Sequence, residues 1–131
     1  MVAEKLHLPI IYVRPKPKDH GKGRQIEGRF SENDKIVLID DLITTGGSVL
    51  NAVKATEKDG GHVAGVSSIF TYFLPDAKEN FKKANVKYAP LLSDPELLKK
   101  ENESGHISHG QYDVLKTWHE DPWAWGKKFN N

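Results

Sequence analysis

Residues 36–48 read Ile36-Val37-Leu38-Ile39-Asp40-Asp41-Leu42-Ile43-Thr44-Thr45-Gly46-Gly47-Ser48. An unbroken apolar run meets two adjacent acids, and a Thr-Thr-Gly-Gly-Ser loop follows. A continuous apolar run, as opposed to an alternating one, predicts a buried strand of a parallel sheet over Lys35–Asp40. From Ser48 the period becomes helical, because Val49, Ala52, Val53 and Thr56 fall on one face. Gly60-Gly61 is expected to end that helix, since glycine accepts the left-handed conformation there.

This arrangement can hold a sugar beside a phosphate. Neighbouring strand residues point to opposite faces, so Asp40 and Asp41 are not expected to act alike. One can accept hydrogen bonds from ribose hydroxyls; the other can orient a metal-bound water or a nearby backbone group. Thr44, Thr45, Gly46, Gly47 and Ser48 are small enough for backbone N–H groups to close around an anion. The helix start adds free N–H groups and a partial positive charge. The plainer alternative is a strand–helix turn with Ser48 as its N-cap, but such a turn needs neither the paired acids nor the paired glycines. Neither Gly-x-x-x-x-Gly-Lys-[Ser/Thr] nor Gly-x-Gly-x-x-Gly occurs, which disfavours nucleoside triphosphate hydrolysis and dinucleotide binding.

Outward from this stretch, strand and helix alternate. Leu8–Arg14 and Gln25–Phe30 are strand candidates, separated by Pro15, Pro17, Gly21 and Gly23. Val63–Phe73 and Val86–Leu92 are further strands. Pro75 opens a helix running to about Ala84, Asp94-Pro95 opens another, and Gln111–Trp118 forms a third. The expected fold is α/β, a mostly parallel twisted sheet flanked by helices. The length of 131 residues implies one domain, 1–131.

Composition narrows the function classes. A net charge of +1 excludes a general polycation, and the lack of cysteine excludes disulfides and thiolate chemistry. No apolar run approaches the roughly 20 residues of a membrane span, and Met1–His7 lacks the apolar core of a secretion signal. The expected location is the cytoplasm, with no membrane partner.

Charge is nonetheless concentrated in one place. Arg14, Lys16, Lys18, Lys22 and Arg24 surround Asp19 and His20 in an irregular segment. Such a loop repels itself unless an anion fills it, and closure over a substrate would exclude water. A solvated surface loop is the plain alternative. A nucleic-acid patch is disfavoured, because no aromatics interleave for base stacking. His106, His109 and His119 lack the cysteine or well-spaced acid that would complete a metal site. Trp118, Trp123 and Trp125 suit a core or a subunit contact.

The strand, paired acids and Thr-Gly-Gly loop resemble the signature of the type I phosphoribosyltransferases, whose fold is Rossmann-like. Lys18-Asp19-His20-Gly21 and the following Gln25-Ile26-Glu27-Gly28 resemble the mobile catalytic loop of the family's orotate branch, here about residues 15–27. The likeness continues through Ile69–Pro75 to the C-terminal Trp118–Trp125. It implies transfer of a phosphoribosyl group from phosphoribosyl pyrophosphate to orotate, releasing pyrophosphate, a step of pyrimidine (UMP) synthesis. By resemblance, Asp40 and Asp41 face the ribose, and Leu42, Ile43, Thr44, Thr45, Gly46, Gly47 and Ser48 continue the donor site. Thr44 also bonds orotate, while Arg14, Lys18 and His20 contact pyrophosphate. Pro15 stands where many members carry lysine, and Lys16 is its nearest substitute. Thr71 and Tyr72 occupy a region where some members carry an orotate-binding arginine. Mg²⁺ is expected on the donor's pyrophosphate with no direct protein ligand. A homodimer is expected, its basic loop reaching the other subunit's site. The family's subunits are longer at the N-terminus, so the chain reads as the C-terminal portion of such an enzyme. The alternative reading is a truncated or split remnant that binds the donor, or assembles with a partner, without catalysis of its own.

Overall fold

A computed structural model describes residues 2–15 and 25–129. Its centre is a three-stranded sheet of β3 (Lys35–Ile43), β4 (His62–Thr71) and β5 (Tyr88–Ser93), in that order and parallel throughout. Parallel strands need crossover connections. Here these are α2 (Gly47–Lys58) between β3 and β4, and α3 (Pro75–Lys83) between β4 and β5. A separate antiparallel ribbon pairs β1 (Tyr12–Val13) with β2 (Ile26–Glu27). The remaining helices are α1 (Val2–Lys5), α4 (Asp94–Glu103), α5 (His109–Glu120) and α6 (Pro122–Trp125), followed by a 3₁₀ turn over Gly126–Phe129.

The core lies between the sheet and α2 and α3. Leu38, Ile43 and Val66 from the strands meet Val49, Leu50 and Val53 of α2 and Phe81 of α3. Tyr88 extends this layer. Its ring stacks on Phe81 with centroids 4.3 Å apart, and its hydroxyl lies 2.7 Å from Ser68 Oγ. The end of α2 follows the expected logic. Gly60 has φ +88°, and the N–H groups of Gly60 and Gly61 donate to the Glu57 and Thr56 carbonyls, a Schellman closure. Pro75 is the first residue of α3, and capping boxes Ser93/Glu96 and Ser108/Gln111 start α4 and α5.

Two expectations change. The strand at Lys35 runs to Ile43 and is covered on one face only. Val37 and Ile39 are each 55% exposed, because the helices packed against the sheet core lie on the other side. The expected strands Leu8–Arg14 and Gln25–Phe30 shrink to the two-residue β1 and β2. Gly28 ends the pairing with φ +104°, and a Cβ there would lie 2.9 Å from the Ile10 carbonyl. Among the described residues, no helix is long and apolar enough to cross a membrane.

Candidate functional site

The carboxyl end of β3 meets the amino end of α2, the place where open α/β sheets hold ligands. The acids there do differ. Asp40 is half-buried on the strand face it shares with Leu38, while Asp41 is exposed. Asp40 Oδ1 accepts the Asp41 N–H at 3.0 Å, and Asp41 Oδ1 accepts the Leu42 N–H at 2.8 Å. Burial pushes the Asp40 carboxyl above its ordinary range; the Asp41 N–H opposes that rise and the Asp41 charge adds to it. Each acid therefore keeps oxygen capacity for an incoming donor while its strand position is fixed by the next residue's backbone.

The loop that follows is shaped from outside. Gly46 has φ +83°, and a Cβ on it would lie 2.8 Å from Phe81 Cε2. Glycine is needed there for conformation and for space. Asn80 Nδ2 of α3 donates to the Thr45 carbonyl at 3.0 Å. Thr71 Oγ1 at the end of β4 donates to the Ile43 carbonyl at 2.9 Å. Helix α2 then begins at Gly47 with no acid in its first turn and no side-chain cap, so Ser48 is not the N-cap. Its first closing bond runs from the Leu50 N–H to the Gly46 carbonyl. The N–H groups before Leu50 are thereby left to an outside acceptor, beside the exposed side chains of Thr44 and Ser48. Such a helix start is suited to an anion.

Arg14 sits on the β1–β2 ribbon, whose Val13 packs against the core. Its Nε donates to Glu27 Oε1 at 3.0 Å, and its Nη2 pairs with the same oxygen. Lys18 and His20, with Lys16, Lys22 and Arg24, lie outside the described residues. Among the described residues, no cluster of three His, Cys, Asp or Glu is arranged to hold a metal ion. His119 Nε2 lies 2.6 Å from the Tyr72 carbonyl, and His106 Nδ1 lies 2.9 Å from Glu101 Oε2. Trp118 meets Tyr72 edge-on, and Trp123 Nε1 donates to Asp76. Sequence reasoning missed Asn80 and Phe81, and it named Thr71 without its bond to the Ile43 carbonyl. No pattern flags a single amide or hydroxyl 28 to 35 residues from its partner.

No protein-family model matches the chain. It is 89% identical over its whole length to orotate phosphoribosyltransferase of Lactobacillus johnsonii, and spans 62% of that protein. It resembles the solved orotate phosphoribosyltransferase of Aeropyrum pernix with a TM-score of 0.67 and 28% identity, covering 76% of this chain and 55% of that one. The Mycobacterium tuberculosis orotate phosphoribosyltransferase solved with 5-phospho-α-D-ribosyl 1-diphosphate is similar at a TM-score of 0.54 and 27% identity, covering 69% of this chain and 50% of that one.

Proposed function

This chain belongs to the orotate phosphoribosyltransferase family, and we propose that it takes part in that family's reaction by holding phosphoribosyl pyrophosphate. In this reading the phosphoribosyl group passes to orotate, giving orotidine 5′-phosphate and pyrophosphate. The observation that carries it is the join of β3 to α2: two acids at a strand end, a left-handed Gly46, and a helix start with unclosed N–H groups. Asp40 and Asp41 accept from the ribose hydroxyls. The N–H groups around Gly46, Gly47 and Ser48 surround the 5-phosphate, and Thr44 bonds the base.

As the anomeric carbon gains positive charge, negative charge collects on the leaving pyrophosphate. Lys18, His20 and Arg14 neutralise it, an electrostatic contribution commonly worth about 10²-fold in turnover per donor. Mg²⁺ would be carried on the donor's own phosphate oxygens and water. Bound there, Mg²⁺ supplies further charge neutralisation. The setting is cytoplasmic and the assembly a homodimer in which the basic loop serves the neighbouring site.

A second reading has its own observation. Val37, Ile39, Ile69 and Leu91, the last 78% exposed, lie bare on the sheet face opposite α2 and α3. All-parallel sheets normally have both faces covered, and the chain spans under two thirds of its relatives' length. The chain then binds donor but needs a complementing polypeptide for turnover.

One experiment separates these. Calorimetry with phosphoribosyl pyrophosphate and Mg²⁺ is paired with an orotate-consumption assay, on the chain alone and mixed with the rest of a full-length relative. Turnover alone supports the first reading, and turnover only in the mixture supports the second. No heat of donor binding in either sample overturns both.

A further inference from the structure

We propose that Asn80, a residue of α3 outside the strand–loop motif, is a positioning residue for the phosphate-binding loop, an inference that rests on the donor-binding reading above. A trans peptide is planar, and its C=O and N–H point in opposite directions. The Thr45 carbonyl and the Gly46 N–H belong to one such plane. Asn80 Nδ2 holds that carbonyl at 3.0 Å on the α3 side. The Gly46 N–H is thereby aimed away from α3.

The next residue cannot undo this setting cheaply. Gly46 is fixed at φ +83° with the Phe81 ring against its Cα, and Phe81 is backed by the stacked ring of Tyr88. The same device recurs two residues earlier, where Thr71 Oγ1 and the Tyr72 N–H hold the Ile43 carbonyl at 2.9 and 3.3 Å and so direct the Thr44 N–H. Carbonyls 43 and 45 are anchored inward; the N–H groups that share their peptide planes are turned outward before any ligand arrives. Without the Asn80 bond, the Thr45 carbonyl loses its anchor, the 45–46 peptide is set less firmly, and part of the binding energy goes into ordering it.

The test titrates ribose 5-phosphate, and separately pyrophosphate with Mg²⁺, into the wild-type chain, Asn80→Ala and Asn80→Leu. Leucine keeps the branched shape and removes the donor, which covers the case in which alanine misfolds. Amide NMR of Gly46 is recorded without ligand. The expected result is about tenfold weaker binding of ribose 5-phosphate in both variants, pyrophosphate affinity unchanged, and a displaced Gly46 resonance. A wild type that binds ribose 5-phosphate and variants that match it overturn the role of Asn80, as do equal losses for both ligands. A wild type that takes up no ribose 5-phosphate instead overturns the donor-binding reading. In that case a Gly46 resonance unmoved by the substitutions overturns the role of Asn80 as well.

Discussion

Thr71 Oγ1 donates to the Ile43 carbonyl at 2.9 Å and accepts the Phe73 N–H at the same distance. One fully buried hydroxyl thus joins the end of β3 to the turn that leaves β4, where Phe73 takes φ +53°. Replacing it with an isosteric apolar residue leaves the half-buried Phe73 N–H without its acceptor and the Ile43 carbonyl with only the Tyr72 N–H at 3.3 Å. Thr71→Val is expected to cost about 1–3 kcal/mol of stability. Thr71→Ser keeps the hydroxyl and is expected to cost about 1 kcal/mol, roughly one buried methyl. Urea denaturation of the two variants checks this, and equal losses would mean that packing, not the hydrogen bonds, sets the cost.

The two glycines of the loop carry different burdens. At Gly46 an alanine meets both a left-handed backbone and a ring 2.8 Å away. Gly46→Ala is expected to cost about 2–5 kcal/mol, combining roughly 1–2 for conformation with 1–3 for overpacking. At Gly47 the nearest atom to a new Cβ is Thr45 Oγ1 at 3.9 Å. Gly47→Ala is therefore expected to stay within about 0.5 kcal/mol of wild type. Thermal melts of both variants provide the comparison.

The motif at 36–48 was readable because its signals are local. An apolar run, a change of period and a pair of glycines need no knowledge of distant residues. Pro75 and Asp94-Pro95 marked the starts of α3 and α4 for the same reason. The lengths of β1 and β2 were not readable, because strand propensity in Leu8–Arg14 says nothing of how far a partner extends. Nor was the one-sided cover of β3, since an apolar run reports what a strand can bury and not what is present to bury it. Asn80 and Phe81 resembled any amphipathic helix residue until α3 was seen against the loop.

Asp40 links stability to pH with a definite sign. Burial raises its pKa in the folded chain, helped by the Asp41 charge. Between the ordinary aspartate value and this raised one, the folded state binds more protons than the unfolded state. Stability therefore falls as pH rises through that window, and the penalty is complete at neutral pH. Asp40→Asn keeps an oxygen for the Asp41 N–H and removes the charge. Its Tm is expected to exceed that of wild type at pH 7 and to converge with it below about pH 3.9. The same substitution is expected to weaken phosphoribosyl pyrophosphate binding by about tenfold or more, since a charged acceptor is lost. Scanning calorimetry from pH 3 to 8, with donor titration at pH 7, checks both halves; a lower Tm at pH 7 would show that the acid stabilises the fold.

Arg14 is held by Glu27 across the β1–β2 ribbon, and any anion that recruits Arg14 must compete with that carboxylate. Their side chains are 36% and 47% exposed, so the pair is worth at most about 1 kcal/mol. Glu27→Gln lowers the competition without removing the guanidinium. Pyrophosphate affinity is expected to rise by up to about fivefold, with the gain shrinking as salt screens the charges. Arg14→Gln should lower affinity and abolish the effect of the Glu27 change in the double variant. A gain that survives in the double variant would assign it to the overall loss of one negative charge, and Arg14 would have no direct part in holding the leaving group.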